Sequence, residues 1–186
     1  MSDLATVRHH VAASARLARR SLADITLIAV SKTRSVAQIE PLIAAGQRDF
    51  GESRVQEAAD AVALFDMIHS LDRKSLLDAL SAAATKAGRF PACFVQVNVG
   101  QEEQKGGVAP ADLGDFLSAV RASPLPLAGL MCIPPAELEP APFFSFLSEL
   151  GRRHDVTGLS MGMSADYEIA VKLGATHVRV GSALFS

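Results

Sequence analysis

A chain of 186 residues with 49% hydrophobic residues, 20% charged residues and a formal net charge of -2 holds enough apolar mass for one substantial core, and it reads as a single domain spanning 1–186. Tryptophan is absent, aromatics make up 5%, and the one basic cluster (Arg16 with Arg19 and Arg20) falls at helical spacing on a solvated face, so no nucleic-acid partner is expected. No apolar stretch approaches membrane-spanning length and Met1-Ser-Asp begins no signal peptide, so a cytoplasmic chain without a membrane partner is expected.

Leu4, Val7, Val11 and Leu17 carry a helical period over residues 4–20. The next stretch, Asp24-Ile-Thr-Leu-Ile-Ala-Val-Ser-Lys32, is an apolar run that stops abruptly on a serine and a lysine, and it suits a strand buried on both faces of a parallel sheet. Alternation puts Lys32 on the face of Val30, Ile28 and Thr26. If that face lines a barrel, the ammonium is partly desolvated, its neutral form is favoured, and Lys32 becomes a nucleophile for a carbonyl. The alternative is a lysine that snorkels out of the strand end.

A helix over 36–45 then stops at Gly46, and a short strand, Arg48-Asp-Phe50, ends in Gly51-Glu52-Ser53. A helical stretch over 54–65 leads into a strand at 67–70, after which Asp72 is placed to cap a helix reaching Gly88. A strand over 93–99 precedes a charged, glycine-rich loop, and Pro110 opens a helix to Ala122. Strand 127–133 ends at Pro134-Pro135, helix 143–153 follows, then strand 156–160, helix 164–173 and a final strand over 177–181.

Strictly alternating strands and helices with apolar strands mean a parallel sheet wrapped by helices. No GxGxxG follows the first strand, and polar residues accumulate at the carboxyl ends of almost every strand, as in a (β/α)₈ TIM barrel. Seven strands can be counted where such a barrel wants eight, and the short interval between the second strand and Met67 marks the place of the missing unit. Cys93 and Cys132 form no CxxC pair and read as core residues; the five histidines show no metal-ligand spacing.

The loops after the last two strands, Ser160-Met-Gly-Met-Ser164 and Gly181-Ser182, have the small residues and hydroxyls that let an anion approach the backbone, although such a composition is also ordinary for a turn. Arg179 is the sharper signal. On its strand Val178 and Val180 take one face while His177, Arg179 and Gly181 take the other, and an arginine in so apolar a strand needs either a structural ion pair or a ligand.

Ile28-Ala-Val-Ser-Lys32-Thr, Phe50-Gly-Glu-Ser-Arg-Val-Gln-Glu57, Val95-Gln-Val-Asn-Val99, Gly129-Leu-Met131, Leu159-Ser-Met-Gly-Met-Ser-Ala-Asp166 and Val178-Arg-Val-Gly181 together resemble the YggS/PROSC family of pyridoxal phosphate homeostasis proteins, over nearly the whole chain from residue 4. That family is similar to the N-terminal barrel of alanine racemase without its second domain. The resemblance implies that Lys32 holds pyridoxal 5'-phosphate as a Schiff base, that Arg179 faces the pyridine nitrogen, and that Ser160, Gly181 and Ser182 hold the phosphate. Ser53 stands where the family usually has asparagine, which shortens one hydrogen bond partner near the ring. A strand carrying an HFIGxLQxNK-like motif, the third of the barrel, does not appear after Glu57, and the chain stops at Ser186, a little short of the family's usual tail. A break of the chain is expected there, visible as one long Cα step between Glu57 and Ala61; uniform steps of about 3.8 Å would make the deletion real.

An arginine cannot accept the ring nitrogen's proton, so the cofactor would be a weak electron sink. The resemblance therefore implies a non-catalytic carrier or regulator of pyridoxal 5'-phosphate, monomeric, with PLP-dependent apo-enzymes as possible recipients. A PLP-dependent amino-acid racemase is the alternative, and would need a second base on the opposite face; the only tyrosine, Tyr167, falls in a predicted helix. A Schiff-base aldolase shares the barrel and the lysine but not the Arg179 position or the LSMGMS loop.

Overall fold

The computed structural model describes residues 4–52, 57–102 and 104–185. The chain forms two compact units, one made of 1–54 with 161–186 and one of 55–160. Seven parallel strands are present among the described residues.

In the first unit, β1 (Thr26–Val30) lies between β2 (Phe50–Gly51) and β7 (His177–Val180), parallel to both. Helix α1 (Leu4–Leu17) buries Leu4, Val7, Val11 and Ala15, residues spaced three or four apart, and packs on α7 (Tyr167–Lys172), which buries Ala170 and Val171. Arg8 of α1 donates to the carbonyls of Ala45 and Gly46 at 3.0 and 3.1 Å and so closes the end of α2 (Val36–Ala44).

In the second unit, β3 (Met67–Leu71) pairs with β4 (Ala92–Gln96), β4 with β5 (Leu127–Met131), and β5 with β6 (Leu159–Ser160). The helices α3 (Ala58–Leu64), α4 (Lys74–Ala87), α5 (Leu113–Arg121) and α6 (Ala141–Arg153) alternate with these strands. Their inward stripes are apolar: Leu77, Leu80 and Ala84 on α4, Leu113, Leu117 and Val120 on α5, Phe144, Leu147 and Leu150 on α6, all buried. Truncating one such leucine to alanine costs about 2–5 kcal/mol.

Three expectations from sequence are corrected. The expected break between Glu57 and Ala61 is not there: Ala61 N–H donates to Glu57 O at 3.1 Å, the first bond of a continuous helix that opens at Ala58. The expected N-cap Asp72 gives way to Arg73, and the Asp72 carboxylate accepts from the Arg73 guanidinium at 2.6 Å instead. Pro110 opens a short 3₁₀ turn, Pro110–Asp112, before α5 rather than α5 itself.

Candidate functional site

Strand β1 stops at Val30, and Ser31 to Arg34 form a turn in which Arg34 N–H donates to Ser31 O at 3.0 Å and Thr33 takes φ 63°. Lys32 lies in this turn and is exposed. The sequence placed it on the strand and partly desolvated; because the strand ends two residues earlier, its side chain leaves from a turn and meets water.

The register β1–β7 sets Ile28 beside Arg179 and Ala29 beside Val180. Partners in register share a face, so the face that leads from Ile28 through Val30 toward Lys32 is the face of Arg179 and Gly181. Val178 and Val180 are fully buried on the opposite face while Arg179 is half-buried, which is the alternation expected. The Arg179 main-chain N–H donates to Gly162 O at 3.0 Å, tying the loop after β6 to β7. Nearby, burial pushes the His177 imidazole below its ordinary value; the Arg179 charge adds to this and Asp49 opposes it.

Two glycines level the floor of this face. A Cβ at Gly51 would lie 3.0 Å from Ile28 Cγ2, and one at Gly181 would lie 3.6 Å from Val30 Cβ. At the end of the floor, the N–H groups of Gly181 and Ala183 converge on one oxygen, Ser164 Oγ, at 3.2 and 3.4 Å, as a 3₁₀ turn opens at Ser182. Backbone donors converging on one point make an anion-binding concavity. Ser182 is exposed beside it. Ser164 is a candidate site residue that the sequence showed only as the last hydroxyl of the Ser160–Ser164 loop.

Ser160 belongs to the second unit and is fully buried, with its Oγ 2.8 Å from His69 Nδ1. The His69 ring stacks on Phe94, centroids 4.4 Å apart and planes 19° apart. His69 was read in sequence only as a histidine without metal-ligand spacing; its pairing with Ser160 carried no signal, since the two lie 91 residues apart. Ser53 lies outside the described residues.

Tyr167 is buried against α1, where its hydroxyl lies 3.1 Å from His10 Nδ1. A cavity of about 570 Å³ in the second unit is lined by Asp72, Asp112, Asp115 and Phe116 among others, and one of about 330 Å³ in the first unit by Arg8, Thr26 and Gln47 among others; neither includes Lys32, Arg179 or Gly181. Among the described residues no group of three or more histidines, cysteines or carboxylates could hold a metal ion.

An amine, a guanidinium, a pair of converging N–H groups and a glycine-levelled floor therefore share one unit. The family described as alanine racemase, N-terminal domain, matches residues 59–186. The pyridoxal phosphate homeostasis protein of Escherichia coli is 32% identical over 222 residues, covering 98% of this chain and 94% of its own. That of Pseudomonas aeruginosa is 38% identical over 215 residues, covering 98% of this chain and 93% of its own. This chain belongs to the pyridoxal phosphate homeostasis protein family. The structure of PipY from Synechococcus elongatus with PLP bound is 34% identical, has a TM-score of 0.80, and matches over 95% of this chain and 100% of PipY. The alanine racemase of Clostridium difficile, at 13% identity and a TM-score of 0.68, shares the fold over 58% of its length.

The same comparison measures the deletion. The Escherichia coli match runs over 222 positions, whereas 98% of these 186 residues is about 182, so about 40 positions of that relative have no counterpart here. The alanine racemase match starts at residue 59, immediately after the place where the family's third strand is missing. The fold is that of the alanine racemase N-terminal domain with one strand fewer.

Proposed function

We propose that this chain binds pyridoxal 5'-phosphate at the strand ends of its first unit and acts as a carrier or regulator of that cofactor rather than as an enzyme. The observation that carries the reading is the gathering of Lys32, Arg179 and the Gly181–Ala183 N–H pair in one unit of a chain whose relatives are pyridoxal phosphate homeostasis proteins. The donors match the ligand group by group. The Lys32 amine would hold the aldehyde covalently, the Arg179 guanidinium would face the ring nitrogen, and the N–H groups of Gly181 and Ala183, released from Ser164 Oγ to the phosphate oxygen that takes its place, would hold the phosphate together with the Ser182 and Ser164 hydroxyls. Ser160, which the family resemblance assigns to the phosphate, has its hydroxyl 2.8 Å from His69 Nδ1 within the second unit.

When bound, the cofactor supplies an electron sink. Arg179 keeps that sink weak, because a guanidinium donates hydrogen bonds and accepts no proton. Racemisation would also need a base on the opposite face. Tyr167, the chain's one tyrosine, points its hydroxyl at His10 on the α1 side. Both observations favour the carrier over the racemase.

We extend the proposal to a monomer that works as one domain in the cytoplasm and passes the cofactor to PLP-dependent apo-enzymes; no described helix is long and apolar enough to cross a membrane. The test is a titration with pyridoxal 5'-phosphate followed by absorbance. The wild type should develop the yellow band of a lysine-linked cofactor. Lys32→Ala should lose it yet retain weaker, phosphate-competed binding, because the anion-holding groups are separate from the amine. A normal band in Lys32→Ala would remove that lysine from the site.

A further inference from the structure

The turn that carries Lys32 and the turn that carries the converging N–H groups are joined by a side-chain contact. The Arg34 guanidinium lies over the Phe185 ring, 5.0 Å from the centroid. Arg34 closes the Ser31–Arg34 turn, two residues past Lys32, through its N–H to Ser31 O. Phe185 closes the 3₁₀ turn that follows Gly181, through its N–H to Ser182 O at 3.3 Å. Each side chain is thus anchored at the end of one of the two functional turns, and both residues are half-buried.

We propose that Arg34 is a positioning residue which, by resting on Phe185, fixes the distance between the Lys32 amine and the Gly181–Ala183 anion-holding groups. The inference rests on the cofactor reading above. Its physical basis is the rigidity of the ligand class: an aromatic aldehyde that also bears a phosphate offers its two ends at a set separation. Once the phosphate is held, the amine meets the aldehyde at an effective concentration decided by how well the two turns match that separation. Strand β1 ends at Val30, and the last bond tying the segment to β2 is Ser31 N–H to Gly51 O at 2.9 Å, so residues 32–34 lie beyond the sheet's pairing. The cation on the ring supplies the restraint in its place.

The test compares two aldehydes, pyridoxal 5'-phosphate and pyridoxal, by the rate at which each is captured on Lys32, read by borohydride quenching and peptide mass. The difference between them isolates the effect of anchoring the phosphate. Arg34→Ala and Phe185→Leu should each slow capture of the phosphorylated aldehyde by about two- to fivefold, the range a partly exposed cation–π contact supports. Capture of pyridoxal should not change in either variant. Arg34→Lys, which keeps a cation over the ring, should recover most of the rate, and the double variant should be no slower than either single one. Thermal melts of all variants give a readout independent of the cofactor and should stay close to wild type.

Equal capture of the phosphorylated aldehyde by wild type and Arg34→Ala overturns the inference and leaves the cofactor reading intact. An equal slowing of both aldehydes also overturns it, since the lysine's own reactivity would then have changed. A slow Arg34→Ala beside a normal Phe185→Leu overturns it too, because Arg34 would be acting on the ligand directly. Failure of the wild type to capture either aldehyde on Lys32 would defeat the cofactor reading and this inference with it.

Discussion

At the residue scale, Arg179 is the charge that its strand constrains most. Its neighbours Val178 and Val180 are fully buried on the other face, so the guanidinium is held on the side of Ile28 and Gly181 by strand alternation and not by chance of rotamer. Arg179→Glu should permit a protonated ring nitrogen and shift the absorbance of bound pyridoxal 5'-phosphate. A variant that binds with an unchanged spectrum and only melts earlier would make Arg179 structural. Lys32 and Arg179 could be read from sequence because each is a charge set in or against an apolar strand. Ser164 could be read only as one hydroxyl of an anion-tolerant loop and His69 only as a lone histidine in a strand, because their partners lie far off in sequence, at Gly181 with Ala183 and at Ser160.

At the element scale, apolar runs placed the strands well, and the ends were the weak point. Lys32 was assigned to β1 because the run continues through Ala29 and Val30, yet the pairing that makes a strand stops with Val30 beside Gly51. Close approach also cannot be seen in a sequence. A Cβ at Gly129 of β5 would lie 2.2 Å from Gly158 O and 2.4 Å from Phe94 Cε1. Gly129→Ala should therefore destabilise the second unit by about 1–3 kcal/mol or more, measured by denaturant unfolding, whereas Gly46→Ala, with nothing within 4 Å, should show only the cost of its positive φ.

Strand β7 adds a pH dependence. His177 has its pKa lowered chiefly by burial, so the folded chain binds its proton less well than the unfolded chain does. The sign follows: its contribution to stability is fully present above the unfolded value of about 6.5 and is lost as pH falls from there through the depressed folded value. His177→Gln should accordingly lose less melting temperature than the wild type between about pH 7.5 and pH 5, and an equal loss in both proteins would place the acid sensitivity elsewhere.

At the scale of the whole molecule, the alternation of strands and helices and the count of seven strands were legible, and so was the position of the missing unit. Helix α3 begins just there, with Glu57 O accepting from Ala61 N–H. Among the described residues, β2 pairs only with β1 and β3 only with β4, the two strands that flank the deletion in sequence. The carrier reading makes a prediction for the entire protein: incubated with pyridoxal 5'-phosphate and single-enantiomer alanine or serine, it should racemise neither faster than the free cofactor does. Turnover at ordinary enzyme rates, on the order of 1 per second or above, would restore the racemase.

On the proposed reading, Lys32 is the covalent anchor of a pyridoxal 5'-phosphate site. The most direct measurement is borohydride reduction of the wild-type protein saturated with pyridoxal 5'-phosphate, followed by digestion and mass mapping of every lysine-containing peptide. The account predicts a single reduced pyridoxyl phosphate adduct per chain, on Lys32. An adduct spread over Lys74, Lys86, Lys105 and Lys172 with none on Lys32, or no adduct at all, would contradict it.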